Sequence, residues 1–273
     1  LFLDICGNPR IRRFRKHHAT KFQNGLAGRD LSDSGVGKHQ RQLQIFLNWS
    51  FSEEHLAKPV RIKKIKVSRR GPEIFSEIEL QLLQATIETA LSSNPNSYQK
   101  RCIKNHLRAF MLARHGVLRS GEILNLPLRH LLLDESLIRI SAVAENNWAP
   151  KTRQERFIPM NPELVEFIRK DLELREPGER WFLDNGKGEQ AFSTNSQLTQ
   201  ALRRHLKRSG IERAGLKPMH SLRSTGITRM LANGGKLDFV MKIAGHSNPQ
   251  TTLDHYVRSE NFDLQDTVNL LSN

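Results

Sequence analysis

The sequence predicts a mainly α fold with one small β-hairpin or sheet, divided into two domains. Three observations predict it. Apolar residues recur at helical spacing through most of the chain, and only residues 137–143 and 155–160 alternate as strands do. Residues 61–70, RIKKIKVSRR, carry six cations in ten and separate the helical segments into two groups. At 273 residues the chain is long enough for a second, larger domain with a sizeable core. The expected boundaries are a helical domain over 1–58, a basic linker over 59–75 and a mixed α/β domain over 76–273.

Arg10 to His18 opens a basic helix expected to reach Asn24, with Gly25 and Gly28 as breaks. Ser32 and its neighbours supply capping oxygens for a second helix, about 35–56. Val36, Leu43, Phe46, Leu47 and Trp49 form that helix's apolar face, and its aromatics are read as core. Pro59 ends this region. Ser76-Glu77-Ile78-Glu79 is a capping box that starts the larger domain, followed by Leu80, Leu83, Ile87 and Leu91 at helical spacing. A helix over 98–115 turns Cys102, Ile103, Leu107, Phe110 and Met111 inward. Residues 118–126 carry Arg119 and Glu122. The two strands form a long hairpin whose tip contains Lys151. Further helices are expected over 162–175, 195–209, 220–233, 236–244 and 260–271.

Lys and Arg outnumber Asp and Glu by 43 to 28, a net charge of +15, and the pI is near 10.3. Residues 1–75 hold 16 of the cations against 6 acids, so a polyanionic partner is expected to be gripped mainly from the N-terminal side. Cys6 and Cys102 form no disulfide framework and match no metal spacing, which suits reduced thiols in a cytoplasmic protein. No apolar run approaches the ~18 residues of a membrane span, and Leu1-Phe2-Leu3 is too short for a signal-peptide core. The start at Leu rather than Met points to an absent N-terminal piece.

The chemistry concentrates in 220–256, HSLRSTGITRMLANGGKLDFVMKIAGHSNPQTTLDHY. His220 and Arg223 share one face of a helix. Gly245 suits the left-handed C-cap of the next helix and places His246 in the turn beyond it; Pro249 opens a short helix leading to Tyr256. Asp238 and Asp254 are the only acids in this stretch, no H-E-x-x-H or C-x-x-C occurs, and Gly234-Gly235-Lys236 lacks the rest of a P-loop. Neither metal nor ATP is therefore expected as a cofactor. A cation, two imidazoles and a phenol suit attack on a phosphodiester.

H-x-x-R, then G-H, then a tyrosine about ten residues on resembles the tyrosine recombinases, the phage-integrase family. HGVLRSGEIL at 115–124 is similar to that family's T-G-L-R-x-x-E-L segment, and KTRQERFIP at 151–159 to its K-T-x-x-x-R-x-x-P hairpin. The resemblance extends from Phe75 to about Ser259, and more loosely over the N-terminal part, which is similar to the core-binding domain without its first helix. It implies a site-specific recombinase or integrase, bound to double-stranded DNA and localised in the bacterial cytoplasm, at the nucleoid when on DNA. It implies assembly from dimer to tetramer on DNA, and accessory DNA-bending or directionality factors. The implied catalytic set is Arg119, Lys151, His220, Arg223, His246 and Tyr256. The two arginines would bracket the scissile phosphate, and His220 would accept the phenol proton or hold the phosphate. His246 would donate to a phosphate oxygen. Tyr256 would form a 3′-phosphotyrosine, and Lys151, rather than Lys187 in another polar loop, would protonate the leaving 5′ oxygen. Arg12, Arg13, Lys38, Arg41, Lys63, Lys64, Arg69, Arg70, Arg153 and Arg156 are candidate DNA contacts.

The sequence departs from the family pattern in places. One extra residue separates His246 from Tyr256 and another separates Gly116 from Arg119; His255, Val257 and Arg258 are unusual neighbours for the tyrosine. Two other readings compete. A type IB topoisomerase would relax plasmid without a specific site, and a DNA-binding protein that retains the fold without turnover would form no covalent adduct. The apolar positions of 260–271 suit packing on the chain's own domain or docking on a neighbouring protomer.

Overall fold

The computed structural model describes residues 1–63 and 72–256. Backbone packing divides the chain into two compact units, Leu1–Arg70 and Gly71–Asn273.

The first unit is built from α1 (Phe2–Cys6), a 3₁₀ turn (Ile11–Arg13), α2 (Lys16–Ala27) and α3 (Asp33–Ser52). Phe14, Phe22, Leu26, Leu43 and Leu47 form its core, joined by Leu56 and Ile62. The Gln44 side chain ties residues 60–62 to α3, accepting from the Ile62 N–H at 2.7 Å and donating to the Val60 carbonyl at 3.0 Å. Three expectations are corrected here. The basic helix starts at Lys16 instead of Arg10, because Arg10–Arg13 tighten into the separate 3₁₀ turn. Gly25 lies inside α2: a Cβ there would collide with Ile5, so the glycine lets α1 lie against α2. Phe46 and Trp49 are not core, for each is 48% exposed and they lean on one another at 5.8 Å between ring centroids. The face of α3 that periodicity marks as apolar is wider than the part α2 covers, which is centred on Leu43 and Leu47.

In the second unit the Ser76 capping box forms as expected and starts α4 (Glu77–Ser92), followed by α5 (Ser97–His115) and the short α6 (Ser120–Leu124). β1 (Leu131–Leu132), β2 (Leu137–Ile140) and β3 (Arg156–Pro159) make an antiparallel sheet in that order, with Ile138 opposite Ile158. The edge strand β1 was not expected; at two residues it is too short to show alternation. Then come α7 (Pro162–Glu173), α8 (Asn195–Arg208), α9 (Pro218–Ala232), α10 (Leu237–Ala244) and α11 (Pro249–Tyr256). The expected helix over 260–271 lies outside the described residues.

α5 and α9 form the centre of this unit. Ala109–Ala113 are sealed in the C-terminal half of α5, and α9 buries Leu222, Arg223, Ser224, Thr225 and Ile227. Such a helix, buried on nearly all sides, shows little amphipathic periodicity. Thr225 Oγ1 accepts from the Phe75 N–H at 2.8 Å and so anchors the start of the domain to the helix carrying His220 and Arg223.

Candidate active site

The site is organised by the C-terminal end of α10. The last carbonyls of a helix have no partner within it and carry partial negative charge. Gly245 closes α10 in the left-handed conformation, φ 63° and ψ 42°, as its position after the periodic run predicts. Three successive carbonyls there each receive one arginine. Ile243 accepts from Arg156 Nε at 3.2 Å, Ala244 from Arg223 Nη2, and Gly245 from Arg119 Nη2. A Cβ on residue 245 would stand 3.0 Å from both the Arg119 and the Arg156 guanidinium, so any side chain there would press on the two arginines besides straining φ.

Glu122 balances this cluster. Its carboxylate, 2% exposed, accepts from the Arg119 N–H at 2.8 Å, Arg119 Nη1 at 2.9 Å and Arg156 Nη2 at 2.8 Å. Burial alone would raise its pKa, but hydrogen bonding and charge from Arg156, then from Arg119, hold it below the usual carboxylate range. Arg223 has a second carbonyl partner, Val117, and burial beside Arg119 pushes its pKa down to about 9. It remains a cation at neutral pH.

His246 completes the cluster. Arg223 Nη2 lies 3.1 Å from its Nε2, and Thr252 Oγ1 lies 2.9 Å from its Nδ1. A guanidinium only donates, so Nε2 accepts and Nδ1–H donates to Thr252. Burial and the nearby Arg223 and Arg119 charges push the imidazole pKa down to about 3, which keeps it neutral. Both ring nitrogens are therefore engaged. His220 stands near the start of α9, exposed overall, with its pKa lowered by partial burial and by Lys217 and Arg223. Lys151, in the hairpin turn, lines a groove of about 430 Å³ together with Arg119, Gly245 and His246. Tyr256 is the last residue of α11.

The fold thus brings Arg119, His246 and Lys151 together around one groove, with Arg223 buried behind His246 and His220 one turn before Arg223. Arg156, expected at the DNA surface, is instead bound to Glu122 and the Ile243 carbonyl, and its Nη1 is buried without a partner. Arg12, Arg13, Lys38, Arg41, Lys63 and Arg153 are exposed, while Lys64, Arg69 and Arg70 lie outside the described residues. Sequence reasoning undervalued two groups. Thr252 carries no motif of its own, and His255 reads in the sequence only as an unusual neighbour of the tyrosine. His255 is buried, stacks on His246 at 6.2 Å between centroids, and has its pKa pushed down to about 4 by burial and by His220 and Arg223.

Comparison with known proteins identifies the lineage. The model of the phage integrase family matches residues 74–261. The chain belongs to that family, the tyrosine recombinases. Transposase A from transposon Tn554 of Staphylococcus aureus is 30% identical over 200 residues, covering 70% of this chain and 54% of the relative. The chain thus spans about half the length of that relative. A tyrosine recombinase of Thermosipho africanus is 24% identical over 274 residues, covering 96% of this chain and 87% of the relative. Among solved structures, the Tn1549 transposon integrase in complex with a circular intermediate DNA matches with TM-score 0.70 and 18% identity, covering 98% of this chain and 90% of that one. A lambda integrase (75–356) dimer bound to a COC′ core site matches with TM-score 0.70 and 15% identity, covering 94% and 84%. These two likenesses establish the recombinase fold.

Proposed function

We propose that this chain is a site-specific DNA recombinase that cleaves and rejoins strands through a covalent phosphotyrosine at Tyr256. The observation that carries the reading is the set of three arginines seated on successive carbonyls of α10, balanced by one buried carboxylate and opening beside Lys151 and His246. Such a cluster is net positive and held in place before any ligand arrives, which suits a phosphate whose charge grows in the transition state. Guanidinium forks match pairs of phosphate oxygens.

In this reading the Tyr256 oxygen attacks phosphorus and the bond to the 5′ oxygen breaks. The phenol proton passes to His220 or to water, and Lys151 protonates the departing 5′ oxygen. A phosphate oxygen entering the cluster takes over donors of Arg119 and Arg223. That frees His246 Nε2, which donates to the phosphate once it carries the ring proton. Rejoining is the reverse reaction with a different 5′-hydroxyl, so the phosphodiester energy is retained and no ATP is consumed. The exposed cations of the first unit supply phosphate contacts, and self-assembly on DNA brings two sites together. The relatives named for transposons and the DNA in the matched integrase structures favour a substrate on a mobile element.

The decisive experiment is to incubate the protein with genomic and plasmid DNA, denature, and sequence the strands that remain covalently attached. Recovery of a short common sequence linked through Tyr256 is expected. Tyr256→Phe should keep DNA binding and lose the adduct, since only the attacking oxygen is removed. An adduct of normal yield in that variant would place the nucleophile elsewhere. Site-independent relaxation of plasmid would replace recombination by topoisomerase activity.

A further inference from the structure

α11 is only eight residues long, too short to be stable in water without tertiary contacts. A short amphipathic helix usually docks by an apolar stripe. This one does not: Leu253 is 37% exposed, while the buried positions are Thr252 at 0% and His255 at 5%, three residues apart and therefore on one face. Both reach the site. Thr252 Oγ1 accepts the proton of His246 Nδ1. The His255 ring lies nearly parallel to the His246 ring, 17° between planes, and sits beside the backbone of Ser224, the residue after Arg223, while its Nδ1 is buried without a hydrogen-bond partner.

We infer that His255 is a positioning residue: with Thr252 it seats α11 on His246 and α9, and so fixes where Tyr256 meets the phosphate. The inference rests on Tyr256 being the nucleophile. His255 borders His220, Arg223 and His246 on its inner side and Asp254 on its own helix. A neutral imidazole packs among these cations, where a lysine or arginine would be repelled.

The test needs two readouts on the full chain. In amide hydrogen exchange of the free protein, His255→Ala should speed exchange in 249–256 at least about tenfold, the effect of emptying the space of a buried ring on the helix's packed face, while α9 stays protected. On the duplex recovered by covalent trapping, the same variant should bind normally but form adduct about tenfold more slowly. His255→Phe keeps a flat buried ring against His246 and should restore most of both losses. Unchanged exchange in 249–256, or failure of His255→Phe to improve on alanine, would overturn the inference. So would loss of protection throughout α9 and α10, which would mark a general structural role. An adduct persisting in Tyr256→Phe would instead overturn the nucleophile assignment, which the exchange data do not depend on.

Discussion

Replacing Glu122 by alanine should destabilise the second unit more than any catalytic substitution in the groove. The carboxylate is the shared acceptor of two guanidiniums whose side chains are 25% exposed for Arg119 and 12% for Arg156. Without it, both cations stay next to Arg223 with one charge fewer to balance them. Removing one partner of a buried ion pair costs about 3–5 kcal/mol. Because Arg119 is partly solvated, the lower end, about 3 kcal/mol, applies. For a unit of this size that corresponds to a drop of roughly 6–12 °C in melting temperature, measurable by calorimetry at pH 7. The carboxyl's folded pKa is depressed, so its stabilisation is present above its unfolded value of about 4.3 and is lost as pH falls through the lower folded value. The gap between parent and variant should therefore hold steady from pH 7 to 5 and close in stronger acid. Adding Arg156→Met to Glu122→Ala removes one stranded cation and should recover part of the loss. A melting temperature within about 2 °C of the parent, or no recovery in the double variant, would refute the argument.

Three further outcomes are expected. Lys151→Ala should cleave ordinary DNA poorly but recover on a substrate whose bridging 5′ oxygen is sulfur, a leaving group that needs no proton, whereas Arg119→Ala and Arg223→Ala should not recover; equal defects on both substrates would make Lys151 a phosphate contact only. His106, His205 and His255 are buried with pKa values pushed down to about 4, so they stay neutral in the fold and charge on unfolding. Their stabilisation is present above about pH 6.5 and lost as pH falls toward their folded values, and with His246, held down to about 3, unfolding at pH 5 should take up at least about four protons, read from the pH dependence of denaturant midpoints. Deleting 260–271 should weaken synapsis of two sites more than binding to one, as judged by gel shift; equal loss of both would assign the segment to its own domain.

Much of the fold was legible because its signals are local. The Ser76 and Glu79 box, the left-handed Gly245 and Pro249 at the start of α11 each act within a turn of backbone, so residue type and spacing are enough. Likewise His220 and Arg223 share a helix face by period alone. What sequence could not decide is which groups complete one another across long separations. The arginines reach α10 carbonyls 126, 87 and 21 residues away, and any exposed cation could in principle have served. Periodicity identified an apolar face on α3 but not how much of it a neighbour covers, so Phe46 and Trp49 were misread. His255 shows the same limit in reverse. A polar residue beside Tyr256 reads as surface until α9 and His246 close over it, because burial belongs to the packed helices and not to the residue.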